Sequence, residues 1–211
     1  ARAFAAAGGS AVTVSATDAP AAVRDVAALA GPHNAVNAAA ATACLGGLGF
    51  ADQQTETAMA GFAGLAHRLQ PVTSHGPITF VNDSKATNVG ATVAALRGLG
   101  PLDKVVLLAG GLAKGADLSP LRPAVTGLRH AFLFGADARP LAAALGDACP
   151  VTCVETLDAG LSAAVDLASP GDTVILAPAC ASFDQFRSFE HRGEVFEAAV
   201  AELADRRGAC A

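Results

Sequence analysis

The stretch Pro-Ile-Thr-Phe-Val-Asn-Asp-Ser-Lys-Ala-Thr-Asn, residues 77–88, decides the fold. Its apolar part, 78–81, is short and rich in β-branched and aromatic residues, which predicts a buried strand. Polar residues follow where a strand would give way to a helix. The same order recurs at 173–186, where Thr-Val-Ile-Leu-Ala-Pro-Ala precedes Cys-Ala-Ser-Phe-Asp-Gln-Phe. Because ligands bind at this edge of open α/β sheets, the two polar clusters predict one site built from distant strands.

Residues 78–206 alternate regularly between apolar runs and helical stretches. The runs predict strands at 78–81, 104–109, 131–134, 151–154 and 173–177. The intervening stretches predict helices near 88–98, 118–127, 137–145, 157–169 and 188–206. This alternation is typical of βαβ units, so we predict an α/β fold with a mainly parallel sheet flanked by helices.

The chain before this regular part has a different pattern. It predicts, in order, a strand at 11–16, a segment undecided between strand and helix at 22–30, and Ala-rich or polar helices at 32–48 and 52–62. Glycines and prolines then cluster at 64–77, around Thr73, Ser74 and His75, which predicts a domain boundary. We place that boundary between residues 70 and 71.

The composition limits the function. The chain has 211 residues, of which 52% are hydrophobic, with 19 acidic and 14 basic side chains. The acidic balance disfavours a general nucleic-acid or anionic-membrane surface, and no apolar stretch approaches the ~20 residues of a membrane span. The five cysteines form no C-x-x-C pair, which predicts free thiols in a reducing cytosol.

Three polar residues before residue 71 have the chemistry to meet a nucleotide. Asn34 and Asn37 are three apart, so on a helix they share one face and offer the amide donors and acceptors that a purine or a ribose requires. Arg68 stands in the boundary stretch, and its planar fork matches phosphate oxygens. The alternatives are helix capping by Asn34, a solvated Asn37 and a surface Arg68 in a linker.

Asp83, Lys85 and Thr87 follow the first strand of the regular part at alternating positions. An Asp suits ribose hydroxyls, whereas a Lys and a Thr suit phosphate or carboxylate. The alternative is a helix N-cap formed by Asp83, Ser84 or Thr87. Capping and anion binding are compatible, since a helix N-terminus attracts anions.

A glycine-rich turn, 110–117, follows the second predicted strand. Leu112 breaks a G-x-G-x-x-G pattern and Ala116 stands where a Walker A loop needs Lys, so neither dinucleotide binding nor a β,γ-phosphate cradle is supported. Lys114, beside Gly115, remains as an unobstructed cation for an anionic ligand. A tight turn with a solvated Lys is the alternative.

Ser182 follows the last predicted strand. It is outside a G-x-S-x-G elbow, so we reject a nucleophilic serine. Its hydroxyl and the neighbouring backbone N–H groups suit a carboxylate instead. Ser188 and Phe189 begin the final predicted helix, whose N-terminus also favours an anion. Capping of that helix by Ser188 is the alternative.

Five motifs occur in order: Gly31-x-His33-Asn34-x-x-Asn37, Gly64-Leu65-x-His67-Arg68, Asn82-Asp83-Ser84-Lys85-Ala86-Thr87-Asn88, Gly110-Gly111-x-x-Lys114-Gly115-x-Asp117-x-Ser119 and Ser182-x-Asp184-Gln185-Phe186. Together they resemble the Mur ligases of peptidoglycan synthesis, in the branch that adds D-glutamate. The resemblance runs from about residue 26 to 207. Ala66, Ala113 and Leu118 depart from residues common in the family, and none of them removes a proposed ligand contact.

The resemblance implies two parts. Residues 1–70 would be the end of the central, ATP-binding domain, and residues 71–211 a Rossmann-like C-terminal domain that binds the incoming amino acid. It assigns ATP to Asn34, Asn37, Arg68, Asp83 and Lys85. It assigns D-glutamate to Thr87, Lys114, Ser182, Phe183 and Phe189, the two Phe residues acting largely through their backbone. It gives this chain no catalytic and no metal-binding residue.

The activity that the resemblance implies is ATP-dependent addition of D-glutamate to UDP-N-acetylmuramoyl-L-alanine through an acyl phosphate. The enzyme would be bacterial, cytoplasmic and monomeric at full length, without nucleic-acid or membrane partners. The chain has no G-x-x-G-K-[ST] loop and starts without Met. We therefore expect an inactive fragment, with ATP and Mg²⁺ bound mainly by an upstream part. The alternative is a non-catalytic Rossmann-like module that binds an amino acid or a nucleotide. The failed glycine pattern argues against a dinucleotide-dependent oxidoreductase.

Overall fold

The computed structural model describes residues 12–21, 26, 32–72 and 77–208. The chain divides into two compact units, Ala1–Gly64 and Leu65–Ala211. The segment from Leu65 to the predicted boundary at residue 70 therefore groups with the second unit. The boundary residues Thr73, Ser74 and His75 lie outside the described residues, and the assignment of the two parts to ligase domains stays a prediction.

The first unit is helical over most of its described length. A 3₁₀ helix, Ala16–Asp18, precedes helix α1, Pro32–Gly47, and helix α2, Asp52–Ala60. Both α-helices agree with the predicted ones. The undecided segment 22–30 lies, apart from residue 26, outside the described residues.

The strand predicted at 11–16 is wrong over its described residues. Residues 12–15 have no regular structure. Ser15 donates its backbone N–H and its hydroxyl to the Asp18 carboxylate at 2.7 and 2.8 Å. These local bonds start a helical turn, because short polar side chains compete with the backbone pairing that a strand needs.

The second unit is built on a six-stranded sheet. Its strands are β1 (Gln70–Val72), β2 (Thr79–Asn82), β3 (Val105–Gly110), β4 (His130–Phe134), β5 (Val151–Cys153) and β6 (Thr173–Ala179). The order across the sheet is β1-β2-β6-β3-β4-β5, with β1 antiparallel to β2 and all other neighbours parallel. All strands predicted from apolar runs in the regular part are present, which confirms the α/β fold with a mainly parallel sheet.

Strand β1 is the one that the sequence analysis did not predict. It is three residues long, and its Pro71 lies opposite Val81 of β2. Proline lacks the N–H that a central strand needs, so it is tolerated at the edge of the sheet, where β1 lies. A three-residue strand with a central proline gives no alternating pattern, and it fell in the stretch predicted to be a domain boundary.

Helices cover both faces of the sheet. On one face lie α3 (Val89–Gly98), α4 (Leu121–Ala124) and α5 (Ala138–Leu145). On the other lie α6 (Leu157–Leu167) and α7 (Phe189–Gly208). This double cover explains why β3 is buried along its whole length and reads as one apolar run. Helix α4 is shorter than the one predicted at 118–127, and Gly127, with a φ of 88°, follows it. No helix in the described ranges has the length and apolar character to cross a membrane.

The strand order predicts a ligand-binding crevice at the carboxyl edge of the sheet. Strand β6 lies between β2 and β3. From β2 and β3 the chain continues to helices on one face, whereas from β6 it continues to α7 on the other. Where neighbouring connections diverge in this way, the edge of a parallel sheet forms a ligand-binding crevice.

Candidate functional site

Three loops lie side by side at this crevice and carry most of the predicted site residues. They are loop 83–88 after β2, loop 111–120 after β3 and loop 180–188 after β6. Leu112 and Ala181 join the second loop to the third, since each backbone N–H donates to the other's carbonyl at 2.9 Å. The fold thus brings together stretches that are far apart in sequence.

Asp83 is buried at the start of the first loop. Its backbone N–H donates to the Leu176 carbonyl at 2.8 Å, and its Oδ1 accepts the Leu69 N–H at 3.1 Å. Burial raises the pKa of the Asp83 carboxyl to about 6, while the Leu69 hydrogen bond and the Arg68 guanidinium act in the opposite direction. Two residues of the predicted ATP group, Arg68 and Asp83, therefore interact electrostatically.

Lys85 links the first loop to the start of α7. Its Nζ lies 3.8 Å from the centroid of the Phe189 ring, which is within cation–π range. Its backbone N–H donates to the His67 carbonyl at 3.0 Å. Lys85 belongs to the predicted ATP group and Phe189 to the predicted D-glutamate group, so one member of each group is in direct contact.

Asn88 caps helix α3. Its Oδ1 accepts the Ala91 N–H at 3.0 Å. The alternative in which Asp83, Ser84 or Thr87 forms this cap is therefore wrong. Their place before the cap leaves all three in the loop that faces the crevice.

The second loop depends on its first two glycines. Gly110 and Gly111 have φ values of 151° and 122°. A Cβ at Gly110 would overlap the Phe134 carbonyl oxygen, and a Cβ at Gly111 would overlap that of Ala181. The close approach of these backbones leads the chain to Lys114, which is exposed and has a φ of 53°. The tight turn with a solvated Lys, which was the alternative to an anion site here, is therefore present.

Ser182 and Phe183 of the third loop differ in exposure. Ser182 is 2% exposed and Phe183 is 63% exposed. The Ser182 carbonyl accepts the N–H groups of Gln185 and Phe186 at 3.2 and 2.9 Å, which closes a tight turn. The Phe183 ring centroid lies 5.3 Å from Nζ of Lys114. Ser182 is therefore buried beneath the surface of this loop, whereas Phe183 and Lys114 are exposed beside each other.

Two carboxylates brace these loops. Asp137 accepts the Ala113 N–H at 2.7 Å, next to Lys114 in the second loop. Asp184 in the third loop accepts the Ala136 N–H at 2.9 Å. Both bonds run to backbone donors, so they fix loop geometry whatever the side chains on the loops are.

Helix α7 begins at the same crevice. The Ser188 hydroxyl accepts the His191 N–H at 3.2 Å, so Ser188 caps the helix as the capping alternative predicts. The Phe189 carbonyl accepts the Ser84 hydroxyl at 2.8 Å. This bond ties the N-terminus of α7 to the first loop.

Arg192 is a residue of this site that the sequence analysis missed. It is entirely buried, and its guanidinium donates hydrogen bonds to residues at the ends of all three strands that form the crevice. It stands among charged neighbours in a helix of mixed composition, which is the pattern of a solvated helix face. No spacing in the sequence distinguishes it from an exposed arginine.

A second polar group joins the buried side chains of His67 and Asn82 to the half-buried Glu197. Asn82 Nδ2 lies 2.9 Å from His67 Nδ1 and donates to Glu197 Oε1 at 2.6 Å. His67 has a φ of 61° and abuts Gly193, where a Cβ would overlap its ring. The group fastens the segment after Leu65 to β2 and α7.

Asn34 and Asn37 belong to the first unit. Asn37 Nδ2 donates to Asn34 Oδ1 at 3.4 Å, so the two amides share one face of α1 as predicted. Asn37 also borders a cavity of about 310 Å³ whose other lining residues, from α1, α2 and the residues just after α2, are mostly apolar. Across the described ranges, no group of three or more His, Cys, Asp and Glu side chains is arranged to hold a metal ion.

Comparison with known proteins agrees with this fold and these motifs. The family model described as "Mur ligase, glutamate ligase domain" matches residues 67–180. The UDP-N-acetylmuramoylalanine–D-glutamate ligase of Pseudomonas aeruginosa is 49% identical over 177 residues, and that of Bordetella parapertussis is 47% identical over 189 residues. These alignments cover 82% and 87% of this chain but only 40% and 36% of the two relatives.

A solved structure supports the fold independently of close sequence similarity. The pseudomurein peptide ligase type C of Methanothermus fervidus superposes with a TM-score of 0.64 at 14% identity, over 82% of this chain and 36% of that one. More than half of the chain is matched by the family model, and the matched part contains β1 to β6. The chain therefore belongs to the Mur ligase family, whose glutamate ligase domain model matches residues 67–180.

Proposed function

We propose that the full-length protein containing this chain uses ATP to join D-glutamate to UDP-N-acetylmuramoyl-L-alanine. The observation that carries the proposal is the strand order β2-β6-β3 on a Mur ligase scaffold, because the loops that follow these neighbouring strands carry Thr87, Lys114 and Ser182. Relatives that are 47–49% identical over most of the chain are named as ligases of this specificity.

D-Glutamate is the ligand that we assign to the loops after β3 and β6. It has two carboxylates, and the crevice offers the Lys114 ammonium, the Thr87 and Ser182 hydroxyls, and backbone N–H groups near Phe183 and Phe189. The N-terminus of α7 adds a favourable dipole for an anion. Hydrogen bonds to charged groups are worth roughly 1.5–3 kcal/mol each, so few such contacts suffice to orient the amino acid.

ATP is the ligand that we assign to the first loop and to the residues before it. Asp83 suits the ribose hydroxyls, and Arg68 and Lys85 suit phosphate oxygens. The assignment of Asn34 and Asn37 to ATP stays a prediction from the resemblance. A carboxylate at Asp83 would repel a dicarboxylic amino acid, which favours the nucleotide as its partner.

The chemistry would proceed through an acyl phosphate. The carboxylate of UDP-N-acetylmuramoyl-L-alanine attacks the γ-phosphorus of ATP and ADP leaves. The amine of D-glutamate then attacks the carbonyl carbon, and phosphate leaves from the tetrahedral intermediate as the amide forms. In this scheme the chain positions the amine nucleophile and neutralises charge, which are the main contributions that proteins make to such steps.

The 211-residue sequence contains no P-loop motif. We therefore propose that the β,γ-phosphates and Mg²⁺ are held mainly by another part of the full-length protein. By this proposal the 211-residue chain alone has no ligase activity.

The test is a ligase assay of the full-length protein with ATP, UDP-N-acetylmuramoyl-L-alanine and D-glutamate, following phosphate release and the amide product. We expect activity that requires all three substrates and is lost when L-glutamate replaces D-glutamate. The isolated chain is assayed in parallel, and turnover by it would contradict the division of labour. Ligand binding by the full-length protein without any D-glutamate-dependent product would instead favour a non-catalytic binding module.

A further inference from the structure

A single buried side chain joins the ends of the three strands that form the crevice. Arg192 Nε donates to the Ser84 hydroxyl at 3.0 Å, and Nη2 donates to the Ser84 carbonyl at 2.9 Å. Nη1 donates to the carbonyl oxygens of Cys180 at 3.1 Å and Gly110 at 3.4 Å. These acceptors belong to the loop after β2, the residue after β6 and the last residue of β3.

The acceptors of Arg192 are all uncharged. Within the described ranges, no carboxylate lies at ion-pair distance from its guanidinium. Burial lowers the pKa of Arg192 to about 10, so it stays charged at neutral pH. A buried charge without an ion-pair partner is costly, and well-packed apolar residues often replace buried ions without loss of stability. Core packing alone therefore does not account for an arginine here.

We propose that Arg192 is a positioning residue, which fixes the nucleotide side of the site relative to the amino-acid side. Ser84 lies between Asp83 and Lys85 of the proposed ATP group. Gly110 and Cys180 precede the loops that carry Lys114 and Ser182. The inference rests on the proposed function, because that function says which ligands the loops hold.

The geometry of the guanidinium explains why arginine suits this role. Its donors form a rigid planar fork, so the distances between the three loop ends are set by one inflexible group. A lysine ammonium at the same place would keep the charge but would have to share three donors on a flexible stem. Misplacement of reacting groups by about 1 Å costs on the order of 100-fold in rate, so small changes in loop spacing have measurable effects.

Arg192→Lys and Arg192→Met in the full-length protein test this inference. We expect KM for D-glutamate and KM for ATP each to rise at least about tenfold in both variants, which corresponds to the loss of one charge-assisted hydrogen bond. The charge-retaining Arg192→Lys should not rescue the defect. Arg97→Lys and Arg97→Met, at an exposed arginine in the last turn of α3, are the controls and should leave both KM values unchanged. Lowered thermal stability with unchanged KM values would show a purely structural role and overturn the inference.

A milder variant keeps the inference testable if Arg192 variants do not fold. Ser84→Ala removes the acceptor of Nε and the bond to the Phe189 carbonyl. We expect it to raise both KM values by a smaller factor, and unchanged values would overturn the inference.

Amide hydrogen exchange separates this inference from the proposed function. Arg192→Lys should increase exchange in all three loops, compared with Arg97→Lys, whether or not the wild-type protein is a ligase. Unchanged exchange in the loops would contradict positioning. Absence of D-glutamate-dependent activity in the wild-type protein would contradict the proposed function alone.

Discussion

Nζ of Lys85 lies 3.8 Å from the centroid of the Phe189 ring. Lys85 comes from the loop after β2 and Phe189 from the start of α7, so this contact bridges two stretches about a hundred residues apart. It is a contact between the proposed nucleotide and amino-acid halves of the site. A ring that holds a cation in place also limits where that cation can reach.

Replacing Phe189 by Leu should weaken the binding of ATP and leave the binding of D-glutamate unchanged. The change removes the ring that positions Lys85 and keeps the backbone groups assigned to the amino acid. Loss of a cation–π contact of roughly 0.5–1 kcal/mol predicts a rise in KM for ATP of about two- to fivefold. Phe183→Leu, at the ring beside Lys114, is the matched control and should leave KM for ATP unchanged. An effect of Phe189→Leu on D-glutamate alone would mean that the ring itself contacts the amino acid.

Lys114→Ala should raise KM for D-glutamate by roughly ten- to a hundredfold, since a hydrogen bond to a charged group is worth about 1.5–3 kcal/mol. Steady-state kinetics of the full-length protein measures this. Lys104→Ala, an exposed lysine at the other end of β3, is the control and should have no effect. Ser182→Ala should act in the same direction with a smaller effect. Normal D-glutamate saturation in both site variants would remove these residues from the site.

Asp83→Ala should weaken the binding of ATP more than the binding of D-glutamate. The carboxylate is assigned to the ribose hydroxyls, and it would repel a dicarboxylate. Separate titrations of wild type and variant with each substrate measure the two affinities. A larger loss of affinity for D-glutamate would reverse the assignment.

Asp83→Asn should stabilise the protein near pH 7.5. Burial places the folded-state pKa of Asp83 at about 6, above its ordinary value of 3.8. The protonated form therefore contributes stability that is fully present below about pH 4 and is lost as the pH rises through 6. Asparagine keeps an acceptor for the Leu69 N–H without the buried charge, so the gain at pH 7.5 should be roughly 1–3 kcal/mol.

The measurement is the thermal midpoint of wild type and variant at pH 5 and pH 7.5. The difference between the two proteins should grow with pH. Asp117→Asn is the control, because a hydrogen bond from Ser119 lowers the pKa of that exposed carboxyl, which gives no such gain. A constant difference at both pH values would show that Asp83 is not the group that titrates.

Gly193→Ala should loosen the segment that contains His67. A Cβ at Gly193 overlaps the imidazole and crowds Asn82, and strain of this kind costs roughly 1–3 kcal/mol. Amide exchange at Leu69 and Lys85 should rise, because both amides bond within this region. Gly98→Ala in α3 meets no neighbouring atom and is the matched control. Equal protection in the two variants would mean that His67 does not hold the segment.

The parallel sheet was predictable because its central strands, β3 and β6 above all, are buried on both faces. Residues 105–110 and 174–177 are buried throughout, so each strand appears in the sequence as an apolar run bounded by turn residues. The polar residues of the site could be located as well, because they directly follow these apolar runs in the sequence. Strand β1 was not predicted, because an edge strand of three residues with Pro71 at its centre has neither an apolar run nor an alternating pattern.

The buried polar partners could not be predicted. Arg192 meets Ser84 across 108 residues of sequence and Gly110 across 82, and its own helix gives no sign of burial. The contacts between His67, Asn82 and Glu197 are equally remote. Such bonds arise only once the strand order is known, and strand order is a tertiary property. Local patterns located the loops of the site but not the side chains that hold them together.

The two edge strands of the sheet make ordered aggregation at high concentration less favourable. Strands β1 and β5 are the outermost strands, and each is only three residues long. Pro71 further removes one hydrogen-bond donor from β1. Short edges interrupted in this way are poor templates for pairing with another chain, which guards a sheet rich in Val, Leu and Ala against ordered aggregation. Replacing Pro71 with a β-branched residue would restore that donor at the edge and remove part of the safeguard.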